Sequence, residues 1–328
     1  MGLRKQIAVI ISVVLAFVLT YGAVFGTVTV RYIDRRSPEL KSRSVEVSQY
    51  LPFDEASGIV KSDHYEKLEG DLPVVDGGAA LFPLYSAFVN AIYPPESVSY
   101  DGKDFAPESA MQFTNTIGAY KSVVDGTADV VFCGGPSQEQ LRYAEEKGVT
   151  LKLVPIGIEA FVFIVRSDNP VDNLSTGQVR DIYSGRITRW SEVGGDSSFI
   201  DTVIRNKGSG SHTMMLSFMG DRKIRKNIPG AIGGRAIGYS FRYYVSNLTD
   251  ARSAGSNGLG IKMLSLDGVY PDAESIANGS YPVAGHFYAV YNEANGNENV
   301  GRLIDFVLSD EGQKIVEATG YVPIGSAD

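Results

Sequence analysis

Short apolar runs that end at glycine turns alternate with helical segments along most of this chain. The first such run, residues 72–75, is followed by Asp76, two glycines and a helical pattern. A later run, residues 128–133, also ends in glycines, and another helical segment follows it. Strands that alternate with helices favour an α/β fold, in which helices cover the faces of largely parallel sheets.

Two serines carry the sequence signature of a helix N-terminus. Ser137 precedes Gln140 by three residues, and Ser175 precedes Gln178 by the same spacing. This spacing predicts capping boxes, in which the serine hydroxyl and the glutamine side chain satisfy free N–H groups at the start of a helix. We therefore predict that helices begin directly after Ser137 and after Ser175.

The composition argues against several kinds of functional site. The formal net charge of −8 disfavours a broad basic surface for nucleic acid. Cys133 is the single cysteine, and the three histidines lie far apart without ligand spacing, so neither a metal site nor a cofactor is predicted. The 328 residues are enough for two lobes and a tail. The composition therefore leaves two kinds of function, binding without a metal and catalysis without a metal.

Residues 1–31 are predicted to be a membrane anchor. The stretch from Ile7 to Val30 contains no charged residue, and its 24 residues would span roughly 36 Å as a helix, more than a hydrocarbon core needs. A cleaved signal peptide stays open as the alternative, and basic residues on both sides leave the orientation undecided by charge alone. Residues 32–71 are polar and poor in periodicity, which is typical of a stalk or linker.

A Gly/Ser turn near the middle of the chain is a candidate oxyanion site. A predicted strand ends near Arg205, and the turn from Gly208 to Ser211 leads directly into an apolar-rich segment. This arrangement directs backbone N–H groups, hydroxyls and a guanidinium toward one point. Such a site can hold a small oxyanion without a metal.

Six sequence motifs occur in order between about residues 74 and 324 and together are highly specific. The motifs are Asn169-Pro170-Val171-Asp172-Asn173-Leu174, the segment from Ile182 to Gly195, Arg205 with Gly208-Ser209-Gly210-Ser211, Ala236-Ile237-Gly238-Tyr239, Gly279-Ser280-Tyr281-Pro282, and Gly312-Gln313 followed by Gly320-Tyr321-Val322-Pro323. In this order they resemble the phosphate-binding component of ABC-type phosphate importers.

The resemblance implies a type 2 periplasmic-binding-protein fold, with two α/β lobes joined by two crossing strands. Lobe 1 would comprise residues 72–158 and 286–328, and lobe 2 residues 159–285. Such proteins enclose a ligand by hinge closure and are not enzymes. The implied partners are phosphate or a similar oxyanion and an ABC permease. The implied protein is a monomer, anchored in the cell membrane with its binding domain extracytoplasmic.

The resemblance also implies which residues contact the ligand. In lobe 2 these are Arg205, Ser209, Gly210 and Ser211. In lobe 1 they are Gly78, Ala79 and Thr116.

Lobe 1 departs from the family pattern at two points. The loop after its first strand carries no hydroxyl side chain at Gly78, Ala79 or Leu81. Where many members have an aspartate that accepts the proton of hydrogen phosphate, this chain has Cys133 and a glycine. Sulfate has no proton to donate at neutral pH, so that acceptor separates two anions of similar shape. Asp76 or Asp129 could replace it if either side chain reaches the cleft.

Two other functions remain open from the sequence. A protein of the same fold could bind a different solute or act as a membrane-tethered sensor. A Ser/His hydrolase at Ser211 and His212 is the second alternative. Adjacent residues at a helix start point in different directions, and no orienting acid is evident, so this alternative is not favoured.

Overall fold

The computed structural model describes residues 45–62, 65–225, 235–248 and 260–325. The predicted membrane anchor, residues 1–31, lies outside these residues, as does the first part of the predicted stalk. Among the helices that are described, none combines the length and the apolar character needed to cross a bilayer.

The described residues form short strands and helices in alternation. The strands are β1 (Val75–Gly77), β2 (Val130–Gly134), β3 (Leu151–Arg166), β4 (Asn173–Leu174), β5 (Ile200–Thr202), β6 (Arg235–Phe241), β7 (Ile261–Met263), β8 (Ser265–Leu266) and β9 (Ala284–Asn292). The α-helices are α1 (Phe82–Ile92), α2 (Asn115–Asp125), α3 (Gln138–Glu146), α4 (Thr176–Tyr183), α5 (Gly210–Met219), α6 (Ala273–Ala277), α7 (Glu298–Leu308) and α8 (Asp310–Thr319).

Strand β3 links the two halves of the sheet, the first half containing β1, β2 and β9 and the second half containing β5, β6 and β7. The strand order is β1-β2-β9-β3-β6-β5, and β7 also pairs with β3. The first part of β3 pairs with β9, from Leu151 opposite Asn292 to Ala160 opposite Ala284. Its last part pairs with β6, beginning at Phe161, and with β7. One strand therefore runs through both halves of an α/β fold.

Most strand pairs are antiparallel, so the expectation of largely parallel sheets is wrong. Only β1–β2, β5–β6 and the small β4–β8 pair are parallel among the described strands. β9 runs antiparallel to both β2 and β3, and β3 runs antiparallel to β6 and β7. The alternation of strands and helices predicts parallel units. It does not predict the direction of β3 and β9, the two long strands at the junction of the halves.

The first half of the sheet is covered by helices on both faces. Successive side chains of a strand point to opposite faces. In β2, Val130 and Phe132 pack into a core shared with α1, α7 and α8, whereas Val131 and Cys133 pack against α2 and α3. The second half has its own core, which includes Phe163 and other residues of β3, α4, α5 and β6, together with Trp190 from a short 3-10 helix between α4 and β5.

Residues 45–62 and 65–71, within the predicted stalk, pack onto the first half. Val45, Ile59 and Leu68 are buried in its core. The backbone N–H of Phe53 donates to Asn90 Oδ1 on α1 at 2.9 Å. In the described residues this segment is therefore part of the packed structure, because its apolar side chains reach the core.

Both predicted capping boxes are confirmed. The backbone N–H of Gln140 donates to Ser137 Oγ at 3.3 Å, and Gln140 Oε1 accepts the N–H of Ser137 at 2.7 Å. Ser175 and Gln178 make the equivalent pair at 3.0 and 2.8 Å. The local sequence thus fixes where α3 and α4 begin, independently of how these helices pack.

Two helical glycines provide a test of the packing between α7 and α8. A Cβ on Gly312 would lie 2.2 Å from the Phe306 carbonyl oxygen, whereas a Cβ on Gly301 would meet nothing within 4 Å. We expect Gly312→Ala to lower the free energy of unfolding by about 2–3 kcal/mol, since backbone cannot move aside cheaply. Gly301→Ala should raise it by about 0.5–1 kcal/mol through helix propensity. Urea unfolding followed by circular dichroism measures both, and equal stabilities would contradict this packing.

Candidate functional site

A cleft of about 410 Å³ lies between the two halves of the structure. The loops after β1 and β2 and the start of α2 line it on one side, and the segment from Arg205 into α5 lines it on the other. Strands β3 and β9 contribute Glu159 and His286 to the lining. All seven residues that the resemblance implied as ligand contacts lie on this cleft: Gly78, Ala79, Thr116, Arg205, Ser209, Gly210 and Ser211.

Arg205 brings a positive charge into the cleft without a carboxylate partner in the described part of the chain. Its backbone N–H donates to the hydroxyl of Tyr239 at 3.0 Å, which fixes the chain just after β5. Its Nε is buried and lacks a hydrogen-bond partner among the described residues. Burial lowers the pKa of Arg205, because desolvation disfavours its charged form. An anion in the cleft would offset that cost.

The N-terminus of α5 also faces the cleft. The first regular backbone hydrogen bond of α5 runs from the Thr213 N–H to the Ser209 carbonyl, at 2.9 Å. The N–H groups of Gly210 and Ser211 precede it in the first turn and are therefore free in the described structure. These groups and the helix dipole favour a negative charge at this end. They provide two backbone donors beside the Arg205 guanidinium.

The hydroxyl of Ser209 is engaged in capping α5. It donates to the Asn206 carbonyl at 2.9 Å and accepts the N–H of His212 at 3.3 Å. It must rotate away from Asn206 before it can donate to a ligand. The Ser211 hydroxyl makes no hydrogen bond with the described residues, so it is the better placed of the two serines to donate.

Thr116 supplies the hydroxyl on the opposite wall. A Cβ on Gly210 would lie 3.8 Å from Thr116 Oγ1, so this oxygen faces the start of α5 across the cleft. The N–H of Gly78 donates to the Phe132 carbonyl at 2.9 Å and is therefore not free for a ligand. The N–H of Ala79 has only a long contact of 3.5 Å to Asn115 Oδ1. This wall offers Thr116 and Ala79 rather than Gly78 as donors.

The two walls touch at the mouth of the cleft. Gly208 has a φ of 81°, in the left-handed region that favours glycine. A Cβ at this position would lie 3.0 Å from Ile117 Cδ1, at the start of α2. Glycine at 208 therefore permits both the turn and the close approach of the two halves.

Neither Asp76 nor Asp129 lines the cleft, so neither replaces the family aspartate in this structure. Asp76 is fully buried and accepts the Thr114 N–H at 2.8 Å and the Thr114 hydroxyl at 2.5 Å. Burial raises its pKa. Asp129 accepts the Val74 N–H and the Asn295 side chain, each at 2.8 Å. Both carboxylates organise loops of the first half.

Glu159 is a carboxylic acid on the cleft that the sequence analysis missed. It is 6 % exposed and lies on β3 opposite Gly285 of β9. Its two oxygens accept the N–H groups of Ala160 at 2.8 Å and Tyr243 at 3.2 Å. Burial raises the pKa of Glu159 to about 7. Glu159 is the single charged residue in the run from Leu153 to Val165, and this was the signal that could have identified it.

The rest of the cleft lining is mainly apolar or aromatic. It includes Met214, Phe241, Phe287 and Tyr321, none of which was predicted as a site residue. These positions follow ordinary core patterns in the sequence, so only the tertiary structure shows that they border a cleft.

The arrangement around Ser211 does not form a hydrolase site among the described residues. His212 Nδ1 faces the Tyr239 hydroxyl at 3.4 Å, and no hydrogen bond joins it to Ser211. Burial and the nearby Lys207 lower the pKa of His212. No group of three side chains suited to a metal ion occurs in the part of the chain that the structure describes.

Comparison with known proteins places these features in a family. The family model of the PBP superfamily domain matches residues 81–311, which is more than half of the chain. The expected resemblance to phosphate-binding proteins is confirmed by the relatives that match.

Three curated relatives illustrate the similarity. The phosphate-binding protein PstS of Bacillus subtilis is 28 % identical over 203 residues, which cover 56 % of this chain and 62 % of that protein. PstS of Borreliella burgdorferi is 25 % identical over 177 residues, covering 51 % and 63 %. The match thus spans less than two thirds of either protein. Protein SphX of Synechococcus elongatus is 22 % identical over 317 residues, covering 88 % of this chain and 86 % of that protein.

Solved structures share the fold. A Clostridium perfringens protein solved with bound phosphate has a TM-score of 0.55 and 24 % identity, covering 76 % of this chain and 98 % of that one. An ABC-type phosphate transport receptor from Vibrio cholerae has a TM-score of 0.52 and 18 % identity, with 76 % and 99 % covered. At these identities the similarity establishes a type 2 periplasmic-binding-protein-like α/β fold.

The buried Glu159 predicts a pH dependence of stability. Its ordinary pKa of 4.5 rises to about 7 in the folded protein. Between these values the folded state binds more protons than the unfolded state. The contribution of Glu159 to the free energy of unfolding is therefore fully present below pH 4.5 and is lost as the pH rises to 7. We expect the wild type to lose about 3 kcal/mol relative to Glu159→Gln across this window. Urea unfolding without added oxyanion measures the difference, and parallel pH profiles would contradict it.

Proposed function

Because the chain belongs to the PBP superfamily, we propose that it binds phosphate or a similar small oxyanion in its cleft for an ABC importer. The observation that carries this proposal is the Arg205 guanidinium, which enters the cleft without a carboxylate partner in the described residues. A partly buried cation with a buried Nε and no counter-ion is costly, so the ligand is expected to supply the negative charge.

The remaining donors suit a compact oxyanion. The N–H groups of Gly210 and Ser211 lie at the start of α5, and the Thr116 hydroxyl faces Gly210 from the opposite wall. Charge-assisted hydrogen bonds to such donors are the strong ones. They also explain how a chain with a net charge of −8 can hold an anion, because the attraction is local.

Closure of two lobes around the ligand completes the proposed mechanism. We assign residues 72–158 and 286–328 to lobe 1 and residues 159–285 to lobe 2. The proposed division crosses β3 and β9, the two long paired strands, near Glu159 and Gly285. Contact between Ile117 and Gly208 supports an arrangement in which the walls approach each other at the cleft mouth.

The location and the partners follow from the proposed role. The partner in this proposal is the permease of an ABC phosphate importer, and the relatives named phosphate-binding protein support phosphate as the ligand that is delivered to it. The uncharged stretch from Ile7 to Val30 supports a membrane anchor within residues 1–31, with the binding domain extracytoplasmic. Delivery of one ligand from one cleft requires only a monomer.

Replacing Arg205 tests the anion site. We expect Arg205→Gln to weaken phosphate binding about 100-fold or more, since two charge-assisted hydrogen bonds would be lost. Isothermal titration calorimetry with phosphate, arsenate and sulfate gives the affinities. Arg302→Gln is the matched control, because Arg302 is an exposed arginine on α7 outside the cleft.

Two results would count against the proposal. If the wild type bound none of the three anions, the oxyanion function would be wrong, and native mass spectrometry of the purified chain would be used to identify another ligand. If Arg205→Gln and Arg302→Gln bound phosphate equally well, the site would lie elsewhere.

A further inference from the structure

We propose that Glu159 reads the proton of the bound oxyanion and thereby favours hydrogen phosphate over sulfate. The inference rests on the proposed function, since it assigns a selectivity residue to the same cleft. It is needed because the last positions of β2 are Cys133 and a glycine, and because Asp76 and Asp129 are committed to loops outside the cleft.

The geometry leaves Glu159 able to bind one more hydrogen. Each carboxylate oxygen already accepts one backbone N–H, from Ala160 and from Tyr243. Each oxygen has two acceptor positions, so one position on each remains open. Glu159 lines the cleft together with Arg205, although it is almost completely buried. Two backbone N–H groups thus hold the carboxylate in place in a residue that borders the cleft, and one acceptor position on each oxygen is open.

The elements that pack against Glu159 each bring a charged or titratable side chain toward it. Arg242 and Tyr243 follow β6, Tyr321 follows α8, and His286 lies on the neighbouring strand β9. No salt bridge links Glu159 to any of the described residues. Burial raises the pKa of Glu159, while the hydrogen bond from Ala160 and the charge of Arg242 lower it in part. The protonation of this group can therefore change near neutral pH.

The two protonation states of Glu159 treat the two anions differently. When ionised, the carboxylate accepts the P–OH hydrogen of hydrogen phosphate, and no proton enters or leaves the complex. Sulfate has no hydrogen to offer, so it must face the carboxylate as a like charge or bind together with a proton taken from solvent. When Glu159 is protonated, its O–H can donate to either anion. Selectivity for phosphate should therefore increase with pH.

Calorimetric titration of the full chain with phosphate and sulfate at pH 6 and pH 8 tests this inference. Phosphate itself exchanges a proton between these pH values, so its affinity is referred to the concentration of hydrogen phosphate in solution. For the wild type, we expect the ratio of this affinity to the sulfate affinity to rise roughly 10- to 100-fold from pH 6 to pH 8, as one charged hydrogen bond is gained or lost. Repeating the pH 8 titrations in buffers of different ionisation enthalpy should reveal uptake of about one proton per bound sulfate and none per phosphate.

Three variants separate Glu159 from its neighbours. In Glu159→Gln the amide can donate to sulfate at either pH, so the rise in the ratio and the proton uptake should both disappear. Glu159→Asp keeps a carboxylate and should retain part of the rise. His286→Asn removes another titratable side chain on the cleft and should leave both effects unchanged.

The outcomes distinguish this inference from the proposed function. Phosphate binding with a ratio that does not change with pH in the wild type would overturn the inference and leave the oxyanion function standing. The inference would also be wrong if the wild-type effects persisted in Glu159→Gln or vanished in His286→Asn. If neither anion bound to the wild type, both the function and the inference would be overturned. If Glu159→Gln fails to fold, the wild-type ratio and proton uptake still decide.

Discussion

The pairing of β3 with β9 is the constraint on which the other features of the structure depend. The two strands are antiparallel over the ten residues from Leu151 to Ala160, with one irregularity near Pro155. β3 then continues as a central strand of the second half, where it pairs with β6 and β7. Because the strands continue from one half into the other, they hold two separate cores together and leave a cleft beside them. Glu159 lies near the point where β3 passes between the two cores.

The electrostatics of the cleft follow from which charges are paired. Asp76 lies nearby but is fully buried, with its oxygens occupied by Thr114. Arg205 and Glu159 are the charged groups that reach the cleft without an ion-pair partner among the described residues. A cation beside a helix N-terminus attracts an anion, and a buried carboxyl group on the same cleft responds to whether that anion carries a proton. One cleft thus combines Arg205, which attracts the anion, with Glu159, which responds to the anion's proton.

Local sequence signals predicted those features that depend on nearby residues. Ser137 and Ser175 cap helices as expected, because a capping box involves four consecutive positions and needs no distant partner. The seven residues expected to contact a ligand all line one cleft, although their roles differ. Gly78 lies on the cleft, yet its N–H donates to Phe132. The Ser209 hydroxyl caps α5. A partner distant in the sequence decided the role of Gly78, whereas the Ser209 hydroxyl is engaged by residues three positions away on either side.

The sequence by itself determined the alternation of strands and helices, the helix starts and the position of Arg205 before a Gly/Ser turn. These follow from periodicity, capping and turn chemistry, which act over a few residues. The tertiary structure alone decided that most strand pairs are antiparallel, that residues 45–62 pack onto the first core, and that Glu159 rather than Asp76 borders the cleft. The physical reason is that strand direction, burial and access to a cleft depend on contacts between segments that are distant in the sequence.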